Sequence, residues 1–210
     1  MNTKKLLHVG CGSKDKNKTT EGFKDEHWHE VRYDIDSSVD PDIVGSMMNM
    51  EAIEDGFFDA VFSSHNIEHL YPHEVPVALG EFNRVLKDDG FVVITCPDLQ
   101  SVSELIAEDK LTEAAYNSPA GPITPLDILY GHRASLQQGH HYMAHKCGFT
   151  LKVLMGTLRA ASFVKVAGLK RGHPFYDLWV VASKANLEEK QLRNLALSHF
   201  PGDRKPQQHV

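Results

Sequence analysis

Cysteine is scarce in this chain: Cys11, Cys96 and Cys147 are odd in number and widely spaced, with no Cys-x-x-Cys pair. That rules against a disulfide framework and a thiolate zinc site, and it points to a reducing compartment. Basic blocks are missing too. With a net charge of -6 and no Lys/Arg run of the kind that tracks a phosphate backbone, nucleic acid is a disfavoured partner. The small cluster at Lys14, Lys16 and Lys18 still suits an anionic small molecule. No stretch approaches the ~20 apolar residues of a membrane span. Lys4-Lys5-Leu6-Leu7 ahead of a glycine and a cysteine is too short for a lipoprotein signal, and His8 interrupts it. It reads as the first strand of a cytoplasmic protein.

What is present is an ordinary globular composition, 41% hydrophobic and 24% charged over 210 residues. That length suits one α/β domain with a full core. The apolar run Leu6 to Val9 breaks into Gly10-Cys11-Gly12, as when a buried parallel strand opens onto a nucleotide-sized ligand. The third glycine of the dinucleotide fingerprint is lacking. A second strand over Glu30–Asp36 ends in acids, and Asp34 stands where a carboxylate can accept ribose hydroxyls. Asp42–Gly45 is a short third strand, followed by Ser46-Met47-Met48. The methionines suit either core packing or a flat adenine. Residues 56–64 form a fourth strand, apolar throughout and so covered on both faces.

From His73 to Lys87 apolar residues recur every three or four positions, which predicts a helix that Asp88-Asp89-Gly90 stops. A fifth strand over Phe91–Cys96 and a helix to Ala107 follow. Residues 118–148 carry prolines, glycines and histidines with no clean period, and read as an irregular lid or acceptor-binding insertion. A helix over Thr150–Ala161 precedes two strands, 163–169 and 175–183, whose short connection makes them antiparallel. The domain thus spans 1–184. A helix over 185–198, with Asn186 and Glu189 in capping positions, and a flexible tail over 199–210 complete the chain.

Gly10-Cys11-Gly12, Asp34, Phe58-Asp59-Ala60-Val61, the block Glu81 to Gly90 before the fifth strand, and the terminal hairpin resemble a class I S-adenosylmethionine-dependent methyltransferase of the small-molecule "type 11" kind. Ser64-His65-Asn66-Ile67-Glu68-His69-Leu70 is similar to the Ser-His-x-Leu-Glu-His found after the fourth strand in many such enzymes. Two positions depart from the pattern: His8 replaces an acid before the first glycine, and Ser46 replaces an aspartate after the third strand. The resemblance implies a doubly wound, mostly parallel seven-stranded sheet with a terminal antiparallel hairpin, and S-adenosyl-L-methionine as cofactor. It also implies a small-molecule acceptor. The cofactor residues it implies are His8, Gly10, Cys11, Gly12, Asp34, Ile35, Ser46, Met47, Met48, Ser64 and His65.

Methyl transfer from a sulfonium is an in-line displacement, so alignment and exclusion of water are the main requirements. A base is needed only when the acceptor carries a proton of high pKa. His65, at the carboxyl end of the fourth strand, is the best-placed candidate, with His132 a second. Tyr130, His132, Arg133, His140, His141 and His145 are expected to read the acceptor, Arg133 through a carboxylate or phosphate. No metal is expected, since the displacement requires none. His65-x-x-Glu68-His69 does match a zinc-binding spacing, but that hydrolase reading needs a longer helix and a third ligand downstream. Two further readings compete with catalysis of methyl transfer: a non-catalytic protein that binds the cofactor, and an NAD(P)-dependent reductase.

Overall fold

The computed structural model describes residues 3–202. Its central element is a seven-stranded sheet in which β1 (Lys4–Val9) lies between β2 (Trp28–Asp34) and β4 (Phe58–Ser64). Next to β2, at the sheet edge, is β3 (Ile43–Val44), and the other side continues through β5 (Leu86–Pro97), β9 (Asp177–Ser183) and β8 (Lys165–Arg171). The first five strands are mutually parallel, while β9 runs antiparallel to both β5 and β8. The expected doubly wound sheet with a closing antiparallel hairpin is therefore what the chain forms.

The alternation of side chains along β1 sends its apolar residues to both faces of the sheet. Leu7 and Val9 enter one core layer, beneath the helices α1 (Val75–Val85) and α5 (Leu151–Ala160). Leu6 enters the other, with Phe23, Trp28, Phe62 and Ala196. Leu6 and Leu7 are both fully buried. Truncating either to Ala would cost about 2–5 kcal/mol.

Several elements fall differently from their sequence expectations. The helix expected over 73–87 ends at Val85, because the Lys184 ammonium donates to the carbonyls of Asn83 and Leu86 at 3.0 and 2.9 Å and caps the last turn. Asp88-Asp89-Gly90 is an irregularity within β5: the register passes from Phe58↔Leu86 to Ala60↔Phe91. Between β1 and β2 the crossover holds two short 3-10 turns, Lys16–Lys18 and Glu21–Phe23.

The segment 118–148 is built of regular pieces. A hairpin of β6 (Tyr116–Ser118) and β7 (Gly121–Ile123) leads into α3 (Pro125–Tyr130) and α4 (Arg133–Gln137). The start of α3 is fixed by a capping box in which Thr124 and Asp127 bond each other's main chain, with Pro125 in the first turn. α2 (Leu99–Ala107) packs beside α3 and carries Val102, buried with Ile123, Ile128 and Tyr176.

The last helix, α6 (Glu189–His199), is capped by Glu188 and Gln191 rather than by Asn186 and Glu189. It runs into the expected tail: His199 and Phe200 are buried, and the His199 ring sits 4.3 Å from that of Phe23. The remainder of that tail, residues 203–210, lies outside the described residues.

Candidate active site

Because β1, β2, β4 and β5 run parallel, their carboxyl ends open on one edge of the sheet, where open α/β folds bind ligands. After β1 the chain turns at Gly10, whose φ of +66 favours glycine. A Cβ there would also overlap the Asn66 side chain. Gly10 N–H donates to the Tyr33 carbonyl at 2.8 Å, and Gly12 N–H donates to Asp34 Oδ2 at 2.8 Å. Asp36 N–H donates to Asp34 Oδ1 at 3.0 Å, so main-chain donors orient both carboxylate oxygens. Arg32 bridges the carbonyls of Gly12 and Val39, at 2.6 and 3.0 Å, and ties the glycine loop to the turn after β2. Nothing in the sequence pattern singles out this staple.

A cavity of about 240 Å³ opens above this loop. Of the expected cofactor residues, Gly10, Asp34, Ile35, Ser46, Met47 and Met48 line it. Asn66, His69 and Leu70 form its inner wall, and Tyr142 and Lys146 reach it from the 118–148 segment.

The other expected cofactor residues are placed elsewhere. His8 falls on the same face of β1 as Leu6, buried against Phe62 with Nδ1 2.7 Å from Glu30 Oε1. Cys11 is buried, and that burial pushes its thiol up to about 11. Gly12 is occupied with Asp34, and Ser64 Oγ pairs with Thr95 Oγ1 at 2.7 Å. His65 belongs to a second cavity.

That second cavity, about 170 Å³, lies on the other side of His69, which lines both. Its floor is the 3-10 turn Ile67–His69 after β4, with His65 at the rim. Pro97, Phe175 and Tyr176 form one wall, and Tyr116, Ile123 and Ile128 another. His65 has φ +49, a left-handed backbone costing roughly 1–3 kcal/mol in a non-glycine residue. Its N–H donates to the Thr95 carbonyl at 2.9 Å.

Glu68 is 1% exposed, and neither carboxylate oxygen has a hydrogen-bond partner. The closest opposite group is His65 Nδ1, 3.5 Å from Oε1. Burial by itself would raise the Glu68 pKa, but His65 and the neighbouring imidazoles of His69 and His145 outweigh it and hold the carboxyl below its ordinary value. Partial desolvation at the rim opposes charge on the half-exposed His65 ring, yet Glu68 raises its pKa. His145 is lowered by burial.

Of the expected acceptor residues, His132 and His145 line this cavity. His132 Nδ1 lies 2.9 Å from Ser135 Oγ. Arg133 is engaged otherwise: its Nε donates to Asp127 Oδ1 at 2.7 Å and Nη2 to Oδ2 at 3.1 Å, a bidentate grip on the buried cap of α3. Burial would raise the Asp127 pKa, but Arg133 and Thr124 hold it far below the usual carboxylate range. Tyr130, His140 and His141 face solvent.

The turn and the insertion are pinned together by main chain. Lys146 and Cys147 N–H groups both donate to the Glu68 carbonyl, at 2.8 and 3.2 Å. His145 is thereby brought against His69, ring centroids 5.0 Å apart. Histidine spacing along the chain carries no sign of this meeting.

Residues 7–94 match the family model described as a methyltransferase domain. No curated protein sequence matches the chain. Among solved structures, an S-adenosylmethionine-dependent methyltransferase from Archaeoglobus fulgidus is similar at 17% identity, with 86% of each chain covered and a TM-score of 0.58. One from Methanosarcina mazei is also 17% identical, covering 90% of this chain and 95% of its own, with a TM-score of 0.57. A 1,6-didemethyltoxoflavin-N1-methyltransferase from Burkholderia thailandensis, with bound 1,6-didemethyltoxoflavin and S-adenosylhomocysteine, is 15% identical over 88% of this chain and 72% of its own, with a TM-score of 0.53. Residues 7–94 thus match a methyltransferase-domain model, and the fold that extends them is similar to that of solved S-adenosylmethionine-dependent methyltransferases.

Proposed function

We propose that the larger cavity takes S-adenosylmethionine, that the smaller takes a small-molecule acceptor, and that the methyl group passes between them beside His69. The observation that carries this reading is the shared wall: two cavities at the carboxyl edge of one sheet meet at a single residue.

The residues of the larger cavity suit the cofactor. Gly10 lets the Asn66 side chain pack against the main chain as part of the cavity wall, Asp34 offers an oriented carboxylate to two ribose hydroxyls, and Ile35, Met47 and Met48 offer apolar surface to adenine. When bound, S-adenosylmethionine supplies an electrophilic methyl on a sulfonium. The chain's own contribution is alignment and dryness, which can account for several kcal/mol of barrier lowering. Tyr142 and Lys146 cover the cofactor side, and Phe175 and Tyr176 wall the acceptor side. Where the acceptor gives up a proton, His65 receives it, with Glu68 beside it to stabilise the resulting imidazolium. The acceptor class is a small molecule, because the smaller cavity is only about 170 Å³ and sets histidines and carboxylates among aromatic and apolar walls.

Calorimetric titration with S-adenosylhomocysteine tests the assignment. One site of micromolar-range affinity supports it; binding of NADH in its place overturns it.

A further inference from the structure

Glu68, His69 and His145 each present one ligand atom, and the three atoms lie within 4.8 Å of one another. Glu68 is the unusual member. A buried carboxylate with no hydrogen-bond partner is costly, and such groups are normally paired or coordinate a cation. The two imidazoles are already oriented to receive one. His69 Nδ1 is 3.1 Å from the Ala144 carbonyl, and His145 Nδ1 is 2.7 Å from the Ile128 carbonyl. A carbonyl only accepts, so each Nδ1 carries the proton and each Nε2 keeps its lone pair. This is the arrangement by which main-chain carbonyls orient metal-ligating histidines.

We propose that Glu68, His69 and His145 form a binding site for one borderline divalent transition ion of the zinc class. Two nitrogens and one oxygen suit such an ion better than Mg²⁺ or Ca²⁺, which prefer oxygen donors throughout. Three protein ligands leave a coordination position open, and here it faces the smaller cavity. The carboxylate can hold the ion with one oxygen and keep His65 near the other. The 3-10 turn that carries Glu68 and His69 is too short for the helical zinc motif, and the third ligand comes from the insertion through the Lys146 and Cys147 bonds to Glu68. Binding of the ion does not depend on methyl transfer. Its use rests on the proposed function: an acceptor oxygen or nitrogen on the open position would lose its proton more readily beside the charge.

The test uses the full chain, freed of metal with a chelator and titrated with Co²⁺, whose visible d–d absorption reports the ligand field. One Co²⁺ should bind per chain with the intense absorption of a low-coordinate site. Glu68→Gln and His145→Ala should each weaken it beyond the ~10–100-fold that loss of a group merely supporting a ligand costs. A His140→Ala/His141→Ala double variant, which removes solvent-facing histidines, should bind like the parent. X-ray absorption of the Zn²⁺-loaded parent should count two imidazoles, a readout that needs no variant to fold. Absence of stoichiometric Co²⁺, fewer than two imidazoles, or loss of binding only in the double variant would overturn the site. S-adenosylhomocysteine binding, measured on the same preparations, separates this proposal from the cofactor reading, since either can fail alone.

Discussion

The two cavities that meet at His69 are built by opposite means. The larger is made by main chain: strand ends, a glycine turn, and a carboxylate held by two N–H groups. The smaller is made by side chains from segments far apart in sequence, joined by a few bonds between the turn after β4 and residues 144–147. Changes in the first should therefore act on cofactor affinity alone, whereas changes in the second should act on assembly as well.

The largest effect is expected at Asp34. Replacing it with Ala removes two hydrogen bonds to a charged acceptor, about 1.5–3 kcal/mol each, so S-adenosylhomocysteine affinity should fall by at least about 100-fold in calorimetry. Because Gly12 N–H also loses its partner, the glycine loop should loosen without global unfolding. Unchanged affinity would remove Asp34 from the site.

A second effect probes the core layer that holds Leu6, Phe23 and Ala196. His199 is buried against Phe23 and bonds Thr20 Oγ1 at 2.6 Å, and burial lowers its pKa to about 4. The unfolded chain, with an ordinary histidine pKa near 6.5, takes up the proton first. Stability is thus fully present above pH 6.5 and is lost as the pH falls toward 4, by about 2 kcal/mol at pH 5. Denaturant melts at pH 7.5 and 5 should show that loss, and His199→Leu should flatten it. An equal pH slope in the variant would assign the acid sensitivity to other groups.

The smallest effect on the cofactor, and the sharpest contrast with Asp34, is expected at Arg133. Its guanidinium holds Asp127, which caps α3. Arg133→Ala should speed proteolytic cutting between residues 118 and 148 and lower Tm, with S-adenosylhomocysteine affinity little changed. Cleavage equal to the parent's would free Arg133 to meet the acceptor directly.

The same contrast explains what the sequence reveals. Buried parallel strands are continuous apolar runs, and a turn needing positive φ shows itself as glycine, so β1, Gly10 and the Asp34 position are legible. His8 departs from its expected place because strand alternation sends it to the opposite face from Val9. The insertion looks irregular in sequence because α3 and α4 are too short for a hydrophobic period and are held by the Thr124–Asp127 cap and Arg133 instead. His145 is visible as a histidine, but its meeting with Glu68 and His69 depends on main-chain bonds between distant segments, which leave no periodic trace. The tail departs from expectation at His199 and Phe200, whose burial depends on an aromatic cluster with Phe23 and Phe91.

The most direct test of the two-cavity account is a crystal structure of the S-adenosylhomocysteine complex. The account predicts the ribose on Asp34, the adenine among Ile35, Met47 and Met48, and the sulfur facing His69 and the smaller cavity. A ligand whose ribose lies away from Asp34, or whose sulfur points away from His69, would contradict it.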